Sequence, residues 1–141
     1  MATSIPDLWP PDIFTTPAPT PIAVLRRQGE ALGAHTQNLV HGEVETTTNP
    51  DGKSFTHTLY LSAPLLRYRR PLLNVDQTQP QAYPAIVWEA DLTRPPNDRW
   101  SREVANEEEL QACIQEFLNE PRVKNILRSV INMSNDVAPA E

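Results

Sequence analysis

The stretch that most constrains this chain is Ser54 to Asp76, SFTHTLYLSAPLLRYRRPLLNVD. In its first half Phe55, His57, Leu59 and Leu61 alternate with Thr56, Thr58, Tyr60 and Ser62. A period of two gives a strand one apolar and one polar face. The same period precedes it: Val40, Gly42, Val44 and Thr46 share one face, and His41, Glu43 and Glu45 the other. Between the two lies Asn49-Pro50-Asp51-Gly52, in which proline suits the second position of a type I turn and glycine the fourth. The pattern predicts a β-hairpin. A four-residue loop sets Thr48 opposite Lys53, so Thr46 meets Phe55, Val44 meets His57 and Val40 meets Leu61. Slipping by one would set Val44 against Thr58 and turn the apolar set to the wrong face.

The second half of the stretch changes phase. Leu66 and Tyr68 share a face opposite Arg67 and Arg69, but beyond Pro71 the apolar residues are Leu73 and Val75, and the polar ones are Asn74 and Asp76. Proline cannot donate to a strand ladder and is confined to edges, strand starts and bulges. A bulge or break at Arg70 to Leu72 accounts for both the proline and the change of phase.

Helical periodicity flanks this strand region. Thr20 is a suitable N-cap and Pro21 a suitable first helical residue. Ile22, Leu25, Gly29 and Leu32 then share a face, with Gly33 a plausible stop and Thr36 a possible extension. Glycine on that face predicts close approach of helix to sheet. Tyr83 to Ala90 is apolar on both parities, as for a strand covered on both sides, and Asp91 to Arg102 forms an irregular segment anchored by Trp100. Asn106 with Glu109 resembles a capping box, with Glu107 to Glu109 at the positive end of a helix whose stripe is Leu110, Cys113, Ile114, Phe117 and Leu118. Pro121 opens another helix, with Val123, Ile126, Leu127 and Val130 as its stripe.

These elements predict an α+β fold. An antiparallel β-meander of about four strands carries one N-terminal and two C-terminal helices, packed mainly on one face. Residues 1–20 are a proline-rich arm, 21–133 a single domain and 134–141 a frayed tail. The arm interleaves its prolines with Ile5, Leu8, Trp9, Ile13 and Phe14, which either pack back on the domain or dock on a partner.

Composition narrows the functional classes. Fifteen prolines against four glycines indicate stiffened connections rather than a flexible low-complexity chain. A formal net charge of −6 disfavours a general nucleic-acid binder, which needs a basic surface. A single cysteine, Cys113, rules out an internal disulfide and suits a reducing compartment. Neither a secretory leader nor an apolar run of membrane-spanning length stands out, so a soluble, cytoplasmic protein with no membrane association is expected.

No catalytic motif is legible. The three histidines lack metal-ligand spacing, and the hairpin places His41 and His57 on different faces. His57, among apolar neighbours, suits the edge of a core, and Cys113 lies within a helix stripe beside acidic residues that oppose thiolate formation. Neither a metal nor a cofactor is expected. What remains is Arg67, Arg69 and Arg70 around Tyr68. Two arginines sharing a strand face suit a phosphate or carboxylate group, but ion pairs with Glu43, Glu45 or Glu89 on neighbouring strands are the favoured reading, since opposite charges across strands are common. The leading expectation is a non-enzymatic protein–protein interaction module, an adaptor or acidic inhibitor-type protein. Its candidate binding residues are Arg67, Tyr68, Arg69, Arg70, Trp9 and Trp100, since aromatics and arginines most often anchor interfaces. The alternative is a small-ligand or phosphate-binding domain using the arginine-bearing sheet face. Homo-oligomerisation through an exposed sheet face or edge is a further possibility.

Overall fold

The computed structural model describes residues 4–11, 20–78, 83–90 and 100–139. Helix α1 (Pro21–His35) is followed by strands β1 (His41–Thr48) and β2 (Phe55–Ala63), then a single 3-10 turn (Pro64–Leu66). Strands β3 (Tyr68–Gln77), β4 (Ala85–Glu89) and β5 (Ser101–Val104) come next, before helices α2 (Glu107–Leu118) and α3 (Pro121–Val137). The strands form one antiparallel sheet in the order β1-β2-β3-β4-β5. The architecture is the expected α+β meander, with five strands instead of four. The additional strand is β5, whose first two residues, Ser101 and Arg102, belong to the segment expected to be irregular. Residues 91–99 of that segment lie outside the described residues.

Each helix starts where local chemistry directs it. The Thr20 hydroxyl accepts from the Ala23 amide at 3.4 Å, ahead of Pro21. The Asn106 side chain accepts from the Glu109 amide at 2.9 Å, and the Glu109 carboxylate reaches back to the Ala105 amide at 2.8 Å. Two donors at the start of α2 are thereby satisfied reciprocally. Helix α3 runs on to Val137 and keeps Ser134 fully buried, so the packed structure extends past the tail boundary expected at residue 134.

All three helices cover one face of the sheet. Leu25 of α1, Leu110, Ile114 and Phe117 of α2, and Val123 and Val130 of α3 join the inward residues of the strands in one core. Burying this apolar surface is the main driving force for the fold. Among the described residues no helix is long and apolar enough to cross a membrane.

The hairpin forms with the expected faces but in a different register. Thr48 pairs with Phe55, Thr46 with His57, Val44 with Leu59 and Gly42 with Leu61. The loop comprises residues 49–54 rather than four residues. Asn49 closes it, donating its amide to the Ser54 carbonyl and its side-chain amide to the Ser54 hydroxyl, both at 2.9 Å. Asp51 accepts from the amides of Lys53 at 2.9 Å and Ser54 at 3.2 Å. Bonds to the Asp51 and Asn49 side chains hold Lys53 and Ser54 in the loop, lengthening it by two residues at its C-terminal end. The resulting two-residue displacement preserves parity, so every side chain keeps its face.

Strand β4 also differs from expectation. Ala85, Val87 and Glu89 are buried, whereas Ile86 is exposed and Trp88 half-buried. One face of β4 lies under the helices; the other belongs to the open side of the sheet. A run of apolar residues on both parities predicts cover on both sides. Here Ile86 remains open, and Trp88 donates its indole N–H to Asp76 at 2.9 Å.

Candidate functional site

The expected bulge is present and decides where the arginines go. Leu59 pairs with Leu73 but Tyr60 pairs with Pro71, leaving Leu72 as the extra residue of β3. Before the bulge, Arg69 pairs with Ser62 and Arg70 with Leu61. Adjacent strand residues point to opposite faces. Arg69 therefore lies on the open face, and Arg70 lies on the helix-covered face with Tyr68. Arg67 belongs to neither ladder: it closes the 3-10 turn in the left-handed conformation, at φ 51°. The geometry divides the arginine cluster three ways, so it does not form one anion site on a single sheet face.

On the open face Arg69 makes the cross-strand pairs that its acidic neighbours allow. Its guanidinium donates to Glu43 at 3.1 Å and Glu45 at 2.7 Å, and lies over the Tyr60 ring at 3.6 Å. Desolvation works against the charge, but the bonds to Glu43 and Glu45 outweigh it and raise the arginine pKa further. Beside this cluster the Thr58 hydroxyl donates to Asn74 at 2.6 Å and the Thr56 hydroxyl to Asp76 at 2.9 Å. This face is a hydrogen-bonded polar surface in which the indole of Trp88 takes part.

Arg70 contributes to a different site, formed where the bulge meets α3. A cleft of about 330 Å³ is walled by Pro71, Leu72, Phe117, Val123 and Ile126, and carries Arg70, Glu89 and Arg122. Glu89 is 2% exposed, and its carboxylate is in direct contact with the guanidinium of Arg122. Burying a carboxylate is costly unless it is paired. Arg122 supplies the pair from the second position of α3, where the helix dipole also favours negative charge. The Arg122 side chain is partly exposed, so one end of its guanidinium holds Glu89 while the rest borders the cleft. A groove of about 300 Å³, lined by Tyr68, Asn125, Ser129 and Val130, meets the cleft at Arg70 and Ile126.

The aromatic candidates diverge. Trp100 is 8% exposed and packs on Phe117 with ring centroids 5.3 Å apart, while the Arg102 guanidinium lies 4.9 Å from its ring. It anchors the chain before β5, as its place in the sequence suggested, but burial removes it from any binding surface. Trp9 does the opposite. It is 73% exposed, alongside Ile5 and Leu8, so residues 4–11 present their apolar side chains to solvent rather than to the core. The Asp7 carboxylate accepts from the Trp9 amide at 3.0 Å and bends the chain locally. Ile13 and Phe14 lie outside the described residues.

His57 and Cys113 are both held in the interior. His57 is buried with both ring nitrogens engaged, Nδ1 with the Thr46 hydroxyl and Nε2 with the Gln77 side chain, each at 2.9 Å. His41 lies on the opposite face. Cys113 is buried in α2, and burial above all, then the charge of Glu116, pushes its thiol up to about 11. Among the described residues no group of three or more His, Cys, Asp or Glu is placed to hold a metal ion.

Comparison with protein-family models, with curated proteins and with solved structures finds no match. The geometry of the chain itself is therefore the basis for a functional reading. Sequence reasoning missed Arg122 as a partner and Glu89 as a buried charge. The accessible signal was Glu89 in the otherwise apolar run YPAIVWEA, a position that demands a cation from elsewhere in the fold.

Proposed function

We propose that this protein is a non-enzymatic protein–protein interaction module, of adaptor or acidic-inhibitor type, that docks through its N-terminal arm. The observation that carries the reading is the exposure of Ile5, Leu8 and Trp9, at 85%, 82% and 73%, within five residues of one another. Three large apolar side chains held in water are costly to the free protein, and their burial against a partner recovers that free energy. Tryptophan and leucine beside prolines form a compact, pre-stiffened ligand, which limits the entropy lost on docking. The turn at Asp7 adds to this pre-organisation. The acidic character of the chain suits a partner that presents a basic surface around an apolar groove.

The test is recovery of partners from the protein's native cells with tagged chain and with a full-length Leu8→Ser, Trp9→Ser variant. A stoichiometric partner captured by the first and lost with the second supports the reading. A partner captured equally by both, or stabilisation by phosphorylated metabolites with no protein partner, would overturn it.

A further inference from the structure

Asp51-Gly52 is the only place in the chain where an aspartate or asparagine precedes a glycine. Such a pair carries its own chemistry. Glycine sets no side chain beside its nitrogen, so that nitrogen can approach the aspartate side-chain carbon and close a five-membered ring. Here the pair lies at the exposed tip of the hairpin loop, with Gly52 at φ 71°. We infer that Asp51-Gly52 is a site of isoaspartate formation that the closed loop holds in check, so that conversion marks chains whose loop has opened.

The reaction needs only the chain and water. The Gly52 nitrogen attacks Cγ of the protonated Asp51 carboxyl and forms a C–N bond. The carboxyl hydroxyl leaves with the amide proton as water, and the product is a succinimide. Water then adds to the ring. Breaking the bond between the Gly52 nitrogen and the Asp51 main-chain carbonyl carbon leaves isoaspartate. The main chain now runs through Cγ and is one carbon longer, and the former carbonyl is a free carboxylate. Nothing is oxidised or reduced, and the mass equals that of the starting chain.

The closed loop restrains both reacting groups. Gly52 donates its amide to the Asn49 carbonyl at 2.9 Å, so the attacking nitrogen is held by a bond. The Asp51 carboxylate accepts from the Lys53 amide at 2.9 Å and the Ser54 amide at 3.2 Å. The Ser54 hydroxyl approaches both its oxygens, at 3.2 and 3.3 Å. These donors, led by the Lys53 amide, hold the carboxyl below its usual range and so deplete the protonated form from which hydroxyl leaves. Asn49 braces Ser54 in turn, donating its side-chain amide to the hydroxyl at 2.9 Å. Ring closure therefore waits on local opening of residues 49–54. Conversion then displaces the carboxylate from Lys53 and Ser54, so the loop cannot close again on the same bonds.

The test holds the full-length chain at physiological temperature and pH, folded and in urea. Isoaspartate is counted with an isoaspartyl carboxyl methyltransferase and placed by peptide mapping. In urea it should accumulate at residue 51, and in the folded chain at least about tenfold more slowly. Ser54→Ala removes the hydroxyl that links Asp51 to Asn49. With its fold checked by circular dichroism, it should speed conversion of the folded chain about fivefold and leave the rate in urea unchanged. Asn49→Ala, which removes the brace on Ser54, should act in the same direction. Equal rates in the folded and unfolded chain, or no isoaspartate at residue 51 in either, would overturn the inference. So would folded variants that convert no faster than the wild type.

Discussion

Gly29 of α1 and Gly42 of β1 meet backbone to backbone: a Cβ built on Gly29 would stand 2.5 Å from the Gly42 carbonyl oxygen. That contact seats the first helix against the edge strand of the sheet. Two effects of opposite sign act on Gly29→Ala. Alanine favours a helix over glycine by about 1 kcal/mol, but here the added methyl meets main chain, which has no rotamer by which to yield. Overpacking of this kind costs about 1–3 kcal/mol and forces α1 away from β1. A net loss of stability in urea denaturation is expected. A gain would mean that α1 and β1 do not approach this closely.

The pair formed by Glu89 and Arg122 ties the end of β4 to the first turn of α3. Arg122→Met takes the Arg122 guanidinium away from a buried carboxylate and should cost about 3 kcal/mol. Removing both charges, in Glu89→Leu with Arg122→Met, should recover most of that loss, because an apolar pair avoids the desolvation penalty. Denaturation midpoints of the wild type, the single and the double variant decide the matter. A double variant no more stable than the single would show that contacts of Glu89 other than Arg122 carry its stability.

The sequence carried the local structure of this region and not its long-range partners. Periodicity places Leu59 and Leu61 on the inner face, Thr20 and Asn106 at helix starts, and a bulge at Arg70 to Leu72. Each rests on chemistry within a few residues. Hairpin register depended on how Asn49, Asp51 and Ser54 bond to one another, and a turn signature alone does not report loop width. The candidate site was legible only in part. Arg69 with Glu43 and Glu45 follows from strand parity, but the bulge that parity reveals also turns Arg70 to the other face. Its neighbour there, Arg122, lies some fifty residues along the chain, and nothing local announces it.

Ser134 offers a substitution with the opposite sign. It is fully buried near the end of α3, and its hydroxyl has no hydrogen-bond partner. An unpartnered buried hydroxyl loses its bonds to water without recompense. Ser134→Ala removes it, leaves the packing almost unchanged and also improves helix propensity. The chain should gain about 1 kcal/mol of stability. Destabilisation in thermal or denaturant unfolding would show that the hydroxyl is satisfied in solution.

Cys113 makes a prediction that depends on pH. Its thiol lies in the core beside Phe117 and Ile114, and burial first, then Glu116, raises its pKa to about 11, with Arg102 opposing. The thiolate is the reactive form, so at pH 8 about one thiol in a thousand is ionised in the folded protein, against about one in four in an unfolded chain. Native protein should react with a disulfide reagent at least about a hundredfold more slowly than denatured protein. The sign for stability follows from the same shift. The folded state holds the thiol proton more tightly than the unfolded state, so this contribution is complete below the unfolded pKa, near 8.5, and is lost as pH rises towards 11. Between pH 8.5 and 10 the wild type should therefore lose more stability than Cys113→Ala, whose core has no proton to release. Parallel curves for the two proteins, or rapid labelling of the native thiol at pH 8, would show Cys113 to be open to solvent.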